Sequence, residues 1–274
     1  MTGTGTSTDP YVPTTWNEFV TAIGISNAYV SCPTDTVWDM NEIAISGIAN
    51  KISVNCVEIQ GNNTTIKNIY CRADCLFYFG SNSSVTKNCS IYRLNIINFE
   101  IENCLIDVGN YRGVYYYQSK FSGISSGASK KAIFYCSRQP LHFLAINEGC
   151  SFNIVAQNGI AFATGYYNNY CIFEYAHIMF NGKKFVYYTD SNAVKLNNCL
   201  LEGSIDTLEY LRGANSVINV DCQSATVYSI YDVKNILVNS DKCNSIGKGL
   251  VAVTTSQLTD AAYLSSIGFP IGVD

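Results

Sequence analysis

A short step recurs along this chain: an aliphatic residue or Thr, any residue, Asn, then Cys or Ile. It stands as Ile66-Lys67-Asn68-Ile69, Thr86-Lys87-Asn88-Cys89, Ile101-Glu102-Asn103-Cys104, Leu196-Asn197-Asn198-Cys199 and Val233-Lys234-Asn235-Ile236. Asparagine tolerates a left-handed turn, and its amide can reach the Asn of a neighbouring strand about 4.8 Å away. The Cys or Ile that follows then points inward. The asparagines at 68, 88, 103, 198 and 235 lie 20, 15, 95 and 37 residues apart, which suits irregular coils of roughly 15 to 25 residues each.

Strand-length apolar or alternating runs fill the intervals: Ile52 to Ile59, Leu76 to Phe79, Ile91 to Ile101, Ala132 to Tyr135, Ile172 to Tyr175, Ser216 to Val220 and Ile236 to Val238. Turn residues such as Gly61-Asn62-Asn63 and Gly80-Ser81-Asn82 bound them. A β-sandwich shares this alternation and is the competing architecture. The recurring Asn step favours an all-β solenoid, a right-handed parallel β-helix. A solenoid must cover its ends, where core and strand edges would otherwise be bare. Thr15-Trp16-Asn17-Glu18 fits a capping box, with Trp16, Phe19, Val20 and Ile23 at helical spacing before Gly24. Ser256 to Ser265 reads as a second short helix, stopped by Gly268 and Pro270. The expected organisation is therefore a capping segment at 1–27, the solenoid at 28–253, and a capping helix with tail at 254–274.

Charged residues are only 14% of the chain against an apolar 47%, and an average domain carries roughly 25% charged. Asn, Ser, Thr and Gly cover the surface instead, as tight turns require. A net charge of −4 offers no basic stripe for phosphates, which excludes nucleic acid as a partner. No run approaches the ~18 apolar residues of a membrane span. Met1 to Pro10 lacks the regions of a secretory signal, so a soluble protein made in a cytoplasm is expected. The 12 cysteines read as free thiols serving as small buried hydrophobes. Cys71 and Cys75 are the nearest pair, and His142 and His177 are isolated from any cysteine cluster, so neither a metal nor a cofactor is expected.

Glycoside hydrolysis needs two carboxyl groups about 5 to 9.5 Å apart. Glu100, Glu102 and Asp107 form one acidic cluster, and Glu202, Asp206 and Glu209 another. Glu100 and Glu102 sit two apart in a strand-like run and share a face with nothing to raise the pKa of one, so they read as a solvated outer face. The 20 tyrosines are more informative. Tyr111, Tyr115, Tyr117, Tyr166, Tyr167 and Tyr187, with Arg112 beside them, are the candidate binding residues, since an outward tyrosine offers an apolar face and a polar tip to a sugar or a protein. The competing reading stacks these rings along the solenoid.

The opening Gly3-Thr4-Gly5-Thr6 with Asp9-Pro10-Tyr11 and Thr15-Trp16, the Asn-Cys steps, and the ending from Tyr263 to Pro270 together resemble the β-helix proteins of tailed bacteriophages, such as tailspikes, appendages and head or tail fibres. The resemblance implies a pectate-lyase-like fold and a virion component, released by lysis, that decorates the particle or meets the host surface. Other virion proteins, host cell-wall glycan and further copies of the chain, frequently as a trimer, would be its partners. The class includes glycan-cleaving tailspikes, so a hydrolase or lyase depolymerase is the alternative to a non-enzymatic structural or adhesive protein. The Asn-Thr-Asp and Gly-His-Gly signatures of polygalacturonases do not occur here, and the resemblance transfers no catalytic residue.

Overall fold

The computed structural model describes residues 1–43, 51–80, 87–102, 104–109, 111–126, 133–136, 141–145, 149–164, 171–187, 194–227 and 230–270, with residues 136, 158–164, 186, 187 and 210 described by backbone alone. The protein is mostly β, a long sheet of parallel strands with three short helices. Its strands fall into three ladders that the chain visits in turn. The first runs through Tyr29–Ser31, Glu58–Gln60, Cys89–Tyr92, Val114–Tyr117, Leu141–Leu144, Cys171–Glu174, Lys195–Asn197 and the 212–214 stretch of Leu200–Asp221. The second runs through Val37–Asp39, Thr65–Lys67, Asn95–Ile101 and Lys120–Ser125, then the leading parts of Ser151–Thr164, His177–Tyr187 and Leu200–Asp221. Ile52–Val54, Cys75–Phe79, Cys104–Val108 and Phe134–Cys136 begin the third, which continues in the trailing parts of the same long strands.

Every one of these pairings is parallel, which removes the antiparallel sandwich as an alternative. Partners Tyr29, Glu58, Ser90, Tyr115, His142, Ile172, Lys195 and Arg212 step along the first ladder by 29, 32, 25, 27, 30, 23 and 17 residues. The expected 15 to 25 was too short, because each circuit holds three strands and the marker asparagines sit on different corners. Asn68 follows a strand of the second ladder and Asn198 one of the first. Both are left-handed, as is Asn235; Asn88 does not share that conformation, and Asn103 lies outside the described residues.

Alternation sends one column of each ladder inward. Val30, Ile59, Ile91, Tyr116, Phe143, Phe173 and Leu196 follow one another down the first ladder, all buried. In the middle of the core Phe121, Phe134, Phe143, Phe152 and Phe173 pack with centroids 4.8 to 5.8 Å apart. The 11 cysteines whose side chains are described form no disulfide and are buried among these side chains, and burial pushes the thiols of Cys32, Cys150 and Cys199 up to about 12.

The first circuit is covered twice. Helix α1, Trp16–Gly24, buries Trp16, Phe19, Ala22 and Ile23, and the Phe19 and Trp38 rings lie 4.8 Å apart. Thr15 caps it by accepting from the Glu18 amide. The reciprocal half of the capping box is replaced: the Glu18 carboxylate takes the Met1 ammonium and the Thr14 amide and hydroxyl. Tyr11 then adds a parallel bridge to Val30, which shields the edge of the first strand.

The other end departs from expectation. Two helices replace one, α2 at Thr255–Leu258 and α3 at Ala261–Ser266, because the Asp260 side chain accepts from the Ala262 and Tyr263 amides and starts a new helix. Neither reaches the main core. Leu258, Tyr263, Leu264, Ile267 and Phe269 pack on Val217, Leu237 and Val253 in a separate cluster. Leu237 lies between Ile236 and Val238, which face the main core, so these helices cover a flank rather than the open end. Buried Asn239 ties them on, its side-chain amide donating to the Asn219 Oδ1 and the Thr255 hydroxyl, each at 2.9 Å.

Candidate functional site

The tyrosines singled out in the sequence divide by position. Tyr111 is fully buried, its hydroxyl donating to the Cys56 carbonyl at 2.7 Å and its ring set edge-on to Phe79. It belongs to the core and is corrected as a binding residue. Tyr115 and Tyr117 are half-buried and point outward from the first ladder, and Arg112 is exposed beside them. Tyr166 and Tyr167 lie outside the described residues, and Tyr187, described by its backbone alone, closes the strand His177–Tyr187. The outward rings stack: Tyr117 lies 4.7 Å from Tyr92 at 8°, and Tyr115 lies 4.4 Å from His142 at 15°. Residues one rung apart thus each spend a ring face on the other. The stacked reading describes these residues.

Burial holds the His142 ring neutral, with its pKa lowered to about 4, below the ~6.5 of a free side chain. The unfolded chain therefore takes up this proton first as the pH falls. Stability from His142 is complete above pH ~6.5, is lost progressively down to about pH 4, and changes no further below it. His142→Phe keeps a ring against Tyr115 without a titrating nitrogen. The wild type is expected to lose on the order of 1–3 kcal/mol more than this variant between those limits, half-burial having softened the full shift. Urea unfolding at a series of pH values measures the difference.

A second feature lies at the corner where each circuit leaves the first ladder. Arg93, Gln118, Tyr175, Asn198, Asn215 and Asn235 all have φ between 50° and 53°. The register stacks them, with Gly149 standing between Gln118 and Tyr175. Backbone bonds from the Arg93 amide to the Tyr117 carbonyl and from the Tyr175 amide to the Asn197 carbonyl repeat along the column. Asn accepts this conformation readily; Arg, Gln and Tyr do so at a cost of about 1 kcal/mol or more.

Two open depressions flank the unusual members of that column. Asn63, Arg93, Asn95, Gln118 and Lys120 line one of about 370 Å³. There the Arg93 Nε donates to Gln118 Oε1 at 3.1 Å, and the Asn95 carboxamide oxygen accepts from the Lys120 amide. The other, about 340 Å³, shares Lys120 and continues past Ile97, Ser122, Asn153, His177 and Met179. His177 Nε2 lies 2.9 Å from Glu202 Oε2, whose second oxygen accepts from the Asn219 amide group.

The acidic candidates are drawn to different partners. Glu102 pairs with Arg72 at 3.2 Å, Glu209 with Lys184 at 3.6 Å and Glu202 with His177, while Asp107 is buried. Among the described residues no three His, Cys, Asp or Glu side chains gather as a metal site. Sequence reasoning missed Arg93, Gln118, Lys120 and Tyr175. The signal for the first three was an alignment at 25 residues, Tyr92-Arg93-Leu94-Asn95-Ile96 over Tyr117-Gln118-Ser119-Lys120-Phe121; it does not reach Tyr175. Compared with protein-family models, with curated proteins and with solved structures, the chain matches none.

Proposed function

We propose that the chain is a right-handed parallel β-helix and acts as a non-enzymatic structural and adhesive component of a bacteriophage particle, binding host-surface glycan along its flank. Three parallel ladders visited in rotation support the fold reading. The virion setting, the other virion proteins as partners and the trimer come from the resemblance of the chain's two ends. The observation that carries the binding reading is the open polar depression of Asn63, Arg93, Asn95, Gln118 and Lys120, held on stacked backbone whose geometry a ligand need not organise. Amide, guanidinium and ammonium groups of this kind are complementary to sugar hydroxyl and acid groups.

A depolymerase would centre on the His177–Glu202 pair beside Lys120, where a histidine and a carboxylate in hydrogen-bond contact border a depression. Incubation with host cell-wall polysaccharide separates the two readings. An adhesive protein co-sediments with the polysaccharide and releases no new reducing ends, and its mass in solution gives the number of copies. Release of ends that His177→Ala abolishes would overturn the adhesive reading in favour of the enzyme.

A further inference from the structure

The left-handed corner column is a line of residues at one-rung spacing, and its composition changes along its length. Its last three members are Asn198, Asn215 and Asn235, which suit the backbone. Earlier rungs carry Arg93, Gln118 and Tyr175 in the same strained conformation. These side chains are kept where the backbone favours a different residue, and strain of this kind marks positions held for another reason. Two of the three line the same depression and hydrogen-bond each other. The third, Tyr175, is 51% exposed.

Tyr175 also differs from the stacked tyrosines. The corner position one rung before it is Gly149, which carries no side chain to lie on the ring; a Cβ there would meet the Tyr175 carbonyl at 2.0 Å. From Gln118 to Tyr175 is two rungs, about 10 Å, and from Arg93 three, about 14 Å. Charge completes the pattern. Among the described residues neither Arg93 nor Lys120 pairs with a carboxylate as Lys67, Arg72, Lys184 and Arg212 do; Arg112 and Lys195 also stand outside such pairs, but Arg93 and Lys120 line the same depression. Two cations without acidic partners thus converge on one depression in a chain of net charge −4.

Building on the glycan-binding reading above, we propose that this corner binds a carboxylate-bearing polysaccharide, a uronic-acid chain laid along the stacking direction. Arg93 and Lys120 take a carboxylate, Gln118 holds the guanidinium in place, and a sugar ring further along packs on Tyr175. The guanidinium fork matches a carboxylate in two parallel hydrogen bonds.

The test is calorimetric titration of the full chain with short oligomers of a hexuronic acid and with the same oligomers after reduction of their carboxyls to alcohols. The acidic oligomer is expected to bind about tenfold or more tightly than the reduced one. Arg93→Asn abolishes that preference, and Tyr175→Asn weakens both oligomers about five- to tenfold. Asn is the residue the same column uses at 198, 215 and 235, so both variants should unfold at no lower urea concentration than the wild type. Equal affinity for the two oligomers, or an acid preference that survives Arg93→Asn, overturns this proposal and leaves a glycan-binding flank standing. Binding of neither oligomer overturns the proposal, and the glycan-binding reading falls only if whole host polysaccharide also fails to co-sediment.

Discussion

Phe143→Ala is expected to lower the stability of the protein by about 3–5 kcal/mol. The ring is fully buried. It lies 4.8 Å from Phe173, 4.9 Å from Phe152, 5.2 Å from Phe134, 5.6 Å from Phe121 and 5.7 Å from Tyr116. These partners come from all three ladders, so truncation leaves a cavity that no single strand can close by moving inward. Parallel pairing fixes each strand on both sides, which keeps relaxation small and places the cost near the upper part of the range. A shift of roughly 10 °C in the thermal midpoint should accompany the loss. Tyr231→Ala supplies the contrast, since that ring is 91% exposed and its removal should change stability by no more than about 0.5 kcal/mol. Calorimetry on the two variants reads both effects.

Gly213→Ala should cost roughly 2–4 kcal/mol, although it adds one methyl group. Gly213 has φ 118°, and a Cβ built there would stand 1.8 Å from the Leu196 carbonyl oxygen, the residue it pairs with one rung earlier. Two costs combine. An L-residue at positive φ is disfavoured by about 1–2 kcal/mol, and forcing atoms into a packed site adds about 1–3 kcal/mol. The obstacle is backbone, so no side-chain rotation relieves it. Gly268 is also at positive φ, but a Cβ there meets nothing within 4 Å, and Gly268→Ala should show the backbone cost alone. Urea denaturation of the pair separates close approach from conformation.

Much of this architecture was legible in the chain. The inward residues of the ladders announce themselves by alternation, and α1 by Thr15 and the spacing of Trp16, Phe19 and Ile23. The run from Ile91 to Ile101 shows where legibility stopped. It reads as one strand, yet the chain turns a corner at Arg93, between Cys89–Tyr92 and Asn95–Ile101. Arginine carries no turn signal, because the left-handed conformation there is imposed by stacking on Gln118 rather than preferred locally. The same cause hid the site. Attention to the tyrosines found rings that are prominent in sequence but buried, as Tyr111, or spent on one another, as Tyr92 with Tyr117. The exposed ring of Tyr175 sat at the end of an ordinary-looking strand. The asparagine signal was real in kind and misplaced in register: Asn68 accepts from the amide of Asn98, and the amide of Asn235 donates to Asn215, and neither Asn98 nor Asn215 belongs to the recurring four-residue step. A contact of that sort depends on circuit length, which varies from 17 to 32 residues along the first ladder, and local pattern does not encode it. At the far end, Ser256 to Ser265 has the apolar spacing of a capping helix. Its partners, Val217 and Leu237, lie on the outward side of a strand, and nothing in the helix sequence distinguishes an outward apolar patch from an open core.

Both the fold and the corner groove depend on Arg93, Gln118, Tyr175 and Asn198 stacking in parallel register. Amide-to-amide nuclear Overhauser contacts in a deuterated, amide-protonated sample measure that register directly. Contacts within about 5 Å should link Arg93 with Gln118 and Tyr175 with Asn198, as one rung of parallel strands requires. Absence of these contacts, or cross-strand contacts in an antiparallel pattern through the same segments, would contradict the stacked column and remove the groove with it.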